Sequence, residues 1–184
     1  MVNKLQKKGF TLIELLVVIG ILAILTAAVV VVLNPAELLR QSRDAQRLSD
    51  FDATRSAINL YLSTASAPAL GTSTTSNSMN GICYSATSTS YNTSTCTPNS
   101  VTAVDGSGWV PVNFNSLSSA GLSSPLSALP TDPVNSATYH YAGGFNATNN
   151  YYVLVTVLES AKYTSKMQTD GVNDSYYQVG NKLQ

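Results

Sequence analysis

The sequence predicts an α+β fold in which a long N-terminal helix, its first half transmembrane, packs on a small antiparallel sheet of three to four strands. Three observations predict it. Residues Phe10 to Leu33 form an apolar run of 24 residues with one charge, Glu14. Beyond it, Leu38, Ala45, Leu48, Phe51, Ile58 and Leu62 recur at helical spacing. Short runs of aromatic and β-branched residues, bounded by Gly, Asn and Pro, then crowd the last third of the chain.

Composition narrows the function classes. The chain has 184 residues with ten basic and ten acidic side chains, so its net charge is zero and no polyanion-seeking surface is advertised. Charged residues make up 11%, against about 25% in ordinary soluble domains. Between Ser56 and Glu159 the only formal charges are Asp105 and Asp132. This pattern does not fit a cytosolic enzyme. With His140 as the single histidine, a site built on several imidazoles is impossible. No Gly-x-Ser-x-Gly elbow and no glycine-rich phosphate loop is present, so no enzymatic activity is expected. His140, among tyrosines on a predicted strand, reads as a packing or surface residue.

The Phe10–Leu33 run would extend about 36 Å as a helix, enough to cross a hydrocarbon core of ~30 Å. Lys4, Lys7 and Lys8 precede it, and no Lys or Arg follows until Arg40. That asymmetry places the first residues in the cytosol and the remainder outside. A cleaved secretory signal with Thr26-Ala27-Ala28 at the cut would leave Val29 to Leu33 as an exposed apolar end, and its h-region would be too long. Glu14 is the anomaly. A carboxylate within a spanning helix costs about 2.5–3.5 kcal/mol at the centre and less at an edge, so its default reading is functional.

Lys7-Lys8-Gly9-Phe10-Thr11-Leu12-Ile13-Glu14 resembles the leader junction of type IV pilins and type II secretion pseudopilins. The resemblance implies a leader of residues 1–9, cleavage after Gly9 by prepilin peptidase on the cytosolic side, and N-methylation of Phe10. It implies retention of residues 10–33 as a transmembrane and filament-core helix, with Glu14 serving assembly. Loss of three leader lysines would leave seven basic against ten acidic residues, a net charge of −3. The new Phe10 amine would lie one turn from Glu14, which could pair with it or with the amine of a neighbouring subunit. Implied partners are further copies of the chain in a helical filament, the peptidase, an inner-membrane assembly platform and the membrane itself. The precursor would be single-pass in the inner membrane, and the assembled form extracellular or envelope-spanning. A membrane-anchored extracellular binding domain that does not polymerise is the alternative.

Asn34-Pro35 interrupts the helical pattern, and residues 34–62 are expected to continue it as the amphipathic second half of one kinked or locally melted stem. All four arginines, Arg40, Arg43, Arg47 and Arg55, fall in 16 residues. Interleaved Asp44, Asp50 and Asp52 predict a solvated, salt-bridged helix face and no nucleic-acid partner.

Residues 63–184 form the expected globular head. Its first part, 63–108, is rich in Ser and Thr and reads as a long loop. Cys83 and Cys96, the only cysteines, read as a disulfide closing that loop outside the membrane, with free thiols as the alternative. Within 109–184, Trp109–Phe114 carries Pro111 and is at most an edge strand. Tyr139–Tyr141 and Tyr151–Leu158 flank a Gly143–Asn150 connection as a hairpin, and Tyr176–Gly180 supplies a last strand. Leu129-Pro130-Thr131-Asp132-Pro133 through Tyr139 resembles the turn that precedes a sheet strand in major pseudopilins. It departs in lacking that family's Trp-Gly after the second proline. Physically it is a turn in which Asp132 can bond its own backbone. Sequons stand at Asn92, Asn146 and Asn173. Finally, Asp170, Asn173 and Asp174 gather oxygens around Gly171. The family's calcium-bearing C-terminal loop makes calcium the one cofactor to consider, and a metal-free turn explains the residues equally well.

Overall fold

The computed structural model describes residues 9–71, 80–84, 90–91, 94–95, 97–171 and 174–183. The chain divides into two units, Met1–Leu39 and Arg40–Gln184. In the first, α1 (Leu12–Leu33) begins after Thr11 in extended conformation and ends at Asn34 with φ 39°. Asparagine tolerates that left-handed geometry because its short amide can bond locally. Pro35 then opens α2 (Pro35–Thr64), a position where its missing N–H would be unpaired anyway. The Asn34 carbonyl accepts from the Glu37 and Leu38 amides at 3.0 and 3.3 Å. The interruption expected at Asn34-Pro35 is therefore a one-residue left-handed junction between two helices.

Within the second unit the buried side of α2 is not the stripe that periodicity suggests. Asp44, Arg47, Phe51, Thr54, Ala57, Ile58 and Tyr61 are buried, while Ala45 is exposed and Leu48 only half-buried. The helix is rotated so that two charged residues of the expected solvated face point inward. Asp44 and Arg47 are both 0% exposed. Reading that face as solvated is corrected here: it is salt-bridged but, at these two positions, dry.

The head contains β1 (Asn80–Tyr84), β2 (Ser90–Tyr91), β3 (Ser94–Thr95), β4 (Thr97–Pro98), β5 (Tyr141–Asn146), β6 (Tyr151–Thr156) and β7 (Tyr177–Gly180). Strands β1, β5, β6 and β7 form the expected antiparallel sheet, and β4 adds a fifth, parallel strand beside β1, in the order β4-β1-β5-β6-β7. Strands β2 and β3 pair separately. Two expectations change. The Ser/Thr-rich segment supplies β1 and β4, because a strand needs partners more than it needs β-propensity. The hairpin also lies later than expected, since Gly143 and Gly144 are inside β5 and pair with Leu154 and Val153. A Cβ at Gly143 would stand 2.6 Å from the Phe145 ring, so the glycine makes room for that ring in a strand buried along its whole length.

Trp109–Phe114 is not a strand. It is a loop that leads into the 3-10 helix Phe114–Ala120, with one bridge between Asp105 and Asn113. Trp109, Val110, Val112 and Phe114 are nonetheless fully buried, and the Trp109 indole donates to the Pro130 carbonyl at 3.1 Å. They join Phe51, Ile58 and Tyr61 of α2 and Tyr141, Phe145, Tyr152 and Leu154 of the sheet in one core. Phe51 and Tyr141 meet edge to face at 5.0 Å. Tyrosine hydroxyls pin sheet to helix. Tyr141 donates to Asp50 at 2.7 Å, and Tyr152 to Asn59 at 2.8 Å. Burial, with the hydrogen bond to Asp50 behind it, pushes the Tyr141 hydroxyl far above the ordinary phenol range.

Arg47 is the hub of the head. Its Nε and Nη2 donate to Asp132 Oδ2 and Oδ1 at 2.7 and 3.0 Å, a bidentate pair. Its Nη1 donates to Asp44 Oδ1 at 2.8 Å and Glu159 Oε1 at 2.6 Å. Asp44 accepts from the Ser160 amide and hydroxyl at 2.8 and 2.6 Å, and Asp132 from the Val134 and Asn135 amides at 2.8 and 3.1 Å. The expected self-bonded turn at Asp132 is thus present and tied to α2. Arg43 adds a second fork to Glu159, at 2.9 and 2.5 Å. The Tyr139 ring lies 5.2 Å from the guanidinium carbon. Burial works against the Arg47 charge, but its bonds to Asp132, Glu159 and Asp44 outweigh that and raise its pKa. The fork from Arg43, and behind it the single bond from Arg47, hold Glu159 below its ordinary 4.5 against the opposing effect of burial.

Two outcomes are expected for the full chain in detergent. Arg47→Ala should destabilise the head by about 3–5 kcal/mol in denaturant titration, because it leaves buried carboxylates unpaired. A loss under about 1 kcal/mol, as for an exposed pair, would refute the hub. The second outcome concerns acid. A carboxylate with lowered folded pKa stabilises above its ordinary value and loses that contribution as the pH falls through 4.5 and below. Asp50, raised by its burial, acts in the opposite sense. Glu159→Gln should therefore be less stable than the parent at pH 7, with the gap closing below pH 4.5. A gap that stays constant down to pH 3 would refute the assignment.

Candidate functional site

The sequence places its sharpest chemistry at the head of α1. Gly9 and Phe10 are exposed, Phe10 at 87%, and neither is helical. A Cβ added at Gly9 would meet nothing within 4 Å. The chain's own packing therefore makes no demand for glycine there. Thr11 caps the helix, since its hydroxyl accepts from the Glu14 amide at 3.3 Å. In return Glu14 Oε2 accepts from the Thr11 amide and the Thr11 hydroxyl, both at 2.8 Å. This reciprocal pair is a capping box, and it accounts for a carboxylate in the first turn of an otherwise apolar helix. Sequence reasoning gave Glu14 a role and left Thr11 out. The signal was present in Thr-x-x-Glu immediately before an apolar run.

Glu14 also lines a groove of about 420 Å³ with Phe10, Ile13, Val17 and Val18. It is the only polar side chain of that lining. From Leu12 to Val30 the helix is long and apolar enough to cross a membrane, and no residue of that stretch is buried. Within it the Thr26 hydroxyl donates to the Leu22 carbonyl at 2.7 Å, so this polar atom is satisfied inside its own helix.

The remaining predicted sites lie in the head. Cys83 is the fourth residue of β1, and Cys96 lies outside the described residues, so the pairing does too. Asn92 and Asn173 also lie outside them. The Asn146 side chain is 1% exposed and accepts from the Asn149 amide at 3.0 Å, which closes that sequon in the folded head. At the C-terminal loop, Asp170 Oδ2 accepts from the Gln178 amide at 2.5 Å, while Oδ1 is buried with no hydrogen-bond partner among the described residues. Burial, and behind it the nearby charge of Asp174, raises the Asp170 pKa. Among the described residues no three His, Cys, Asp or Glu side chains are grouped to hold a metal. His140 is half-buried beside the Asp132 turn, and burial lowers its pKa.

Comparison with known proteins bears on the N-terminus. The family described as the prokaryotic N-terminal methylation motif matches residues 4–30. Neither a curated protein nor a solved structure matches the chain. The matched segment contains the Gly9-Phe10 junction, the capping box and nearly all of α1, and it precedes a head of helix on antiparallel sheet. Residues 4–30 are the prepilin-type leader and helix start of type IV pilins and pseudopilins, carried here on a chain of pilin-like α+β fold.

Proposed function

We propose that this chain is a structural, non-enzymatic subunit of a type IV pilus or a type II secretion-like filament. One observation carries the reading: an exposed Gly-Phe junction directly precedes a membrane-length apolar helix whose only charge is Glu14 in its first turn. Prepilin peptidase cuts after Gly9 and methylates the Phe10 amine. The open space around Gly9 supports this, because the small residue is then a demand of the peptidase and not of the fold. The precursor sits in the inner membrane through α1, with Lys4, Lys7 and Lys8 on the cytosolic side. The platform then extracts the subunit, and α1 of each copy packs among its neighbours in the filament core. The apolar side chains of α1 that contact lipid before assembly contact other copies afterwards, so the transfer exchanges one apolar solvent for another. In that dry core Glu14 pairs with the Phe10 amine. An unpaired buried charge is punished more than the pair is rewarded, so the contact selects the axial register of each subunit.

Calcium in the C-terminal loop is a separate proposal, with Asp170, Asn173 and Asp174 as ligands. The orphaned Asp170 Oδ1 and the neighbouring Asp174 charge support it. Backbone carbonyls would have to complete a shell of six to eight oxygens.

Intact mass and N-terminal sequencing of membrane-extracted protein should place the mature start at Phe10 with one added methyl group. A chain beginning at Met1 or near Val29 would refute processing. Glu14→Ala should insert normally, since it removes a charge from the apolar span, yet lose at least tenfold in filament incorporation. Wild-type incorporation by that variant would remove the pairing role. Processed and inserted parent protein that never polymerises beside its platform would favour a tethered binding domain. For the loop, millimolar calcium should raise the melting temperature of the detergent-solubilised chain by mass action, and Asp170→Asn should abolish the rise. Superimposable melting curves in calcium and in chelator would end that proposal.

A further inference from the structure

Lys162, Lys166 and Lys182 are the lysines of the head, and none is ion-paired among the described residues. Each stands over a tyrosine ring instead. Lys162 and Lys166 lie 5.0 and 5.6 Å from the centre of Tyr163, and Lys182 lies 4.8 Å from that of Tyr151. The two sites belong to opposite ends of α2. Lys162 and Tyr163 form the short helix α3 (Ala161–Thr164), and Lys166 follows in the next turn. The residues just before α3 are bonded to the start of α2: Glu159 to Arg43 and Arg47, and Ser160 to Asp44. The Lys182 amide donates to the Tyr152 carbonyl, and the Tyr152 hydroxyl to Asn59, about 22 Å further along that helix. We propose that Lys162, Tyr163 and Lys166 dock the base of the head on an anionic phospholipid surface.

Chain length brings lipid to that end of the head. Leu12 to Leu39, as helix, covers no more than about 42 Å, and a hydrocarbon core with both headgroup layers is about 40–45 Å thick. Apolar surface continues over this distance, with Leu38 and Leu39 still 50 and 62% exposed. The second unit begins at the next residue, Arg40. The end of the head that receives the chain is therefore the end at the headgroups, and by its bonds to Arg43, Asp44 and Arg47 it carries α3. Tyrosine and lysine suit that zone, since the ring takes the apolar boundary while the ammonium groups reach phosphate. Tyr163 is half-buried, and both lysines are exposed. Two ammonium groups gathered on one ring repel each other, and Glu159, three residues before Lys162, does not offset them because Arg43 and Arg47 occupy both its oxygens. An anionic surface does offset them, and each lysine beside it strengthens attachment about fivefold. Lys182 has the same chemistry but stands beyond the Debye length of about 8 Å at physiological salt.

The inference rests on α1 as the membrane anchor and does not need the filament. The full chain is placed in lipid nanodiscs of phosphatidylcholine, alone or with about one quarter phosphatidylglycerol, each carrying a headgroup nitroxide. At about 50 mM salt the nitroxide should broaden the Tyr163 amide signal about fivefold more in the anionic discs, and about 0.5 M salt should remove the difference. The Lys182 amide should broaden equally in both discs. Lys162→Gln with Lys166→Gln should lose the effect, and Lys162→Arg with Lys166→Arg should keep it. Equal broadening of Tyr163 in the two discs, or an undiminished effect in the double glutamine variant, would overturn the proposal. An equal response at Lys182 would overturn it too, by showing attraction of the whole head. If about 10 mM inorganic phosphate shifts the Tyr163 signal in neutral discs while anionic discs do not broaden it, the lysines take a soluble anion and the docking falls. A chain recovered outside both discs would end the anchoring by α1 and this inference together. A docked chain that never polymerises beside its platform would end the filament reading alone.

Discussion

The head depends on one guanidinium. Arg47 is completely buried, and its hydrogen bonds reach Asp44 on its own helix, Asp132 in the turn before β5, and Glu159 after β6. Two segments far apart in sequence, around Asp132 and Glu159, are thereby fixed against one helix face. The arrangement is costly to assemble, because each charge must leave water. It persists because Asp44 and Asp132 are satisfied twice, by the arginine and by backbone amides at Glu159, Ser160, Val134 and Asn135, while Glu159 is held by both Arg43 and Arg47. Such a cluster adds little net stability over an apolar core, but it admits one pairing. A helix that slid by one turn along the sheet would leave several buried charges alone. The apolar contacts of Phe51, Ile58 and Tyr61 supply area, and the cluster supplies register.

The N-terminal helix solves the opposite problem with the same chemistry. It is long and apolar enough to cross a membrane, where every polar atom would have to be satisfied within the segment. The backbone does this by being helical, and Thr26 does it by donating to Leu22. Glu14 manages it only in part, through Thr11. The same residue type is thus held by arginines as Glu159 and by its own helix cap as Glu14. In both places a carboxylate punishes misalignment more than it rewards alignment.

Much of this was legible beforehand, for identifiable reasons. The apolar span, the break at Asn34-Pro35 and the strands at Tyr151 and Tyr177 are local patterns, and local patterns survive in one dimension. The Asp132 turn was legible because two prolines and an aspartate act on their own backbone. The leader motif was legible because it is one short contiguous run of residues. Less was visible where a residue's state depends on distant neighbours. Gly143 and Gly144 look like a loop until the Phe145 ring and β6 are in place. Trp109–Phe114 looks like a strand because its residues are those of a core, yet it reaches the core as a loop. Residues 80–84 look like linker, although the edge of β5 recruits them as a strand.

The sequence by itself determined where the membrane-length apolar helix and the prepilin-type leader motif lie, and that a helix leads and a sheet follows. Each follows from hydropathy, charge or turn chemistry within a few residues. Tertiary structure alone decided which face of α2 turns inward. Periodicity weighs apolar side chains and sets Arg47 and Asp44 outside with the solvated charges. Only the approach of Asp132 and Glu159, 85 and 112 residues away along the chain, makes burying that arginine less costly than leaving the three carboxylates without it.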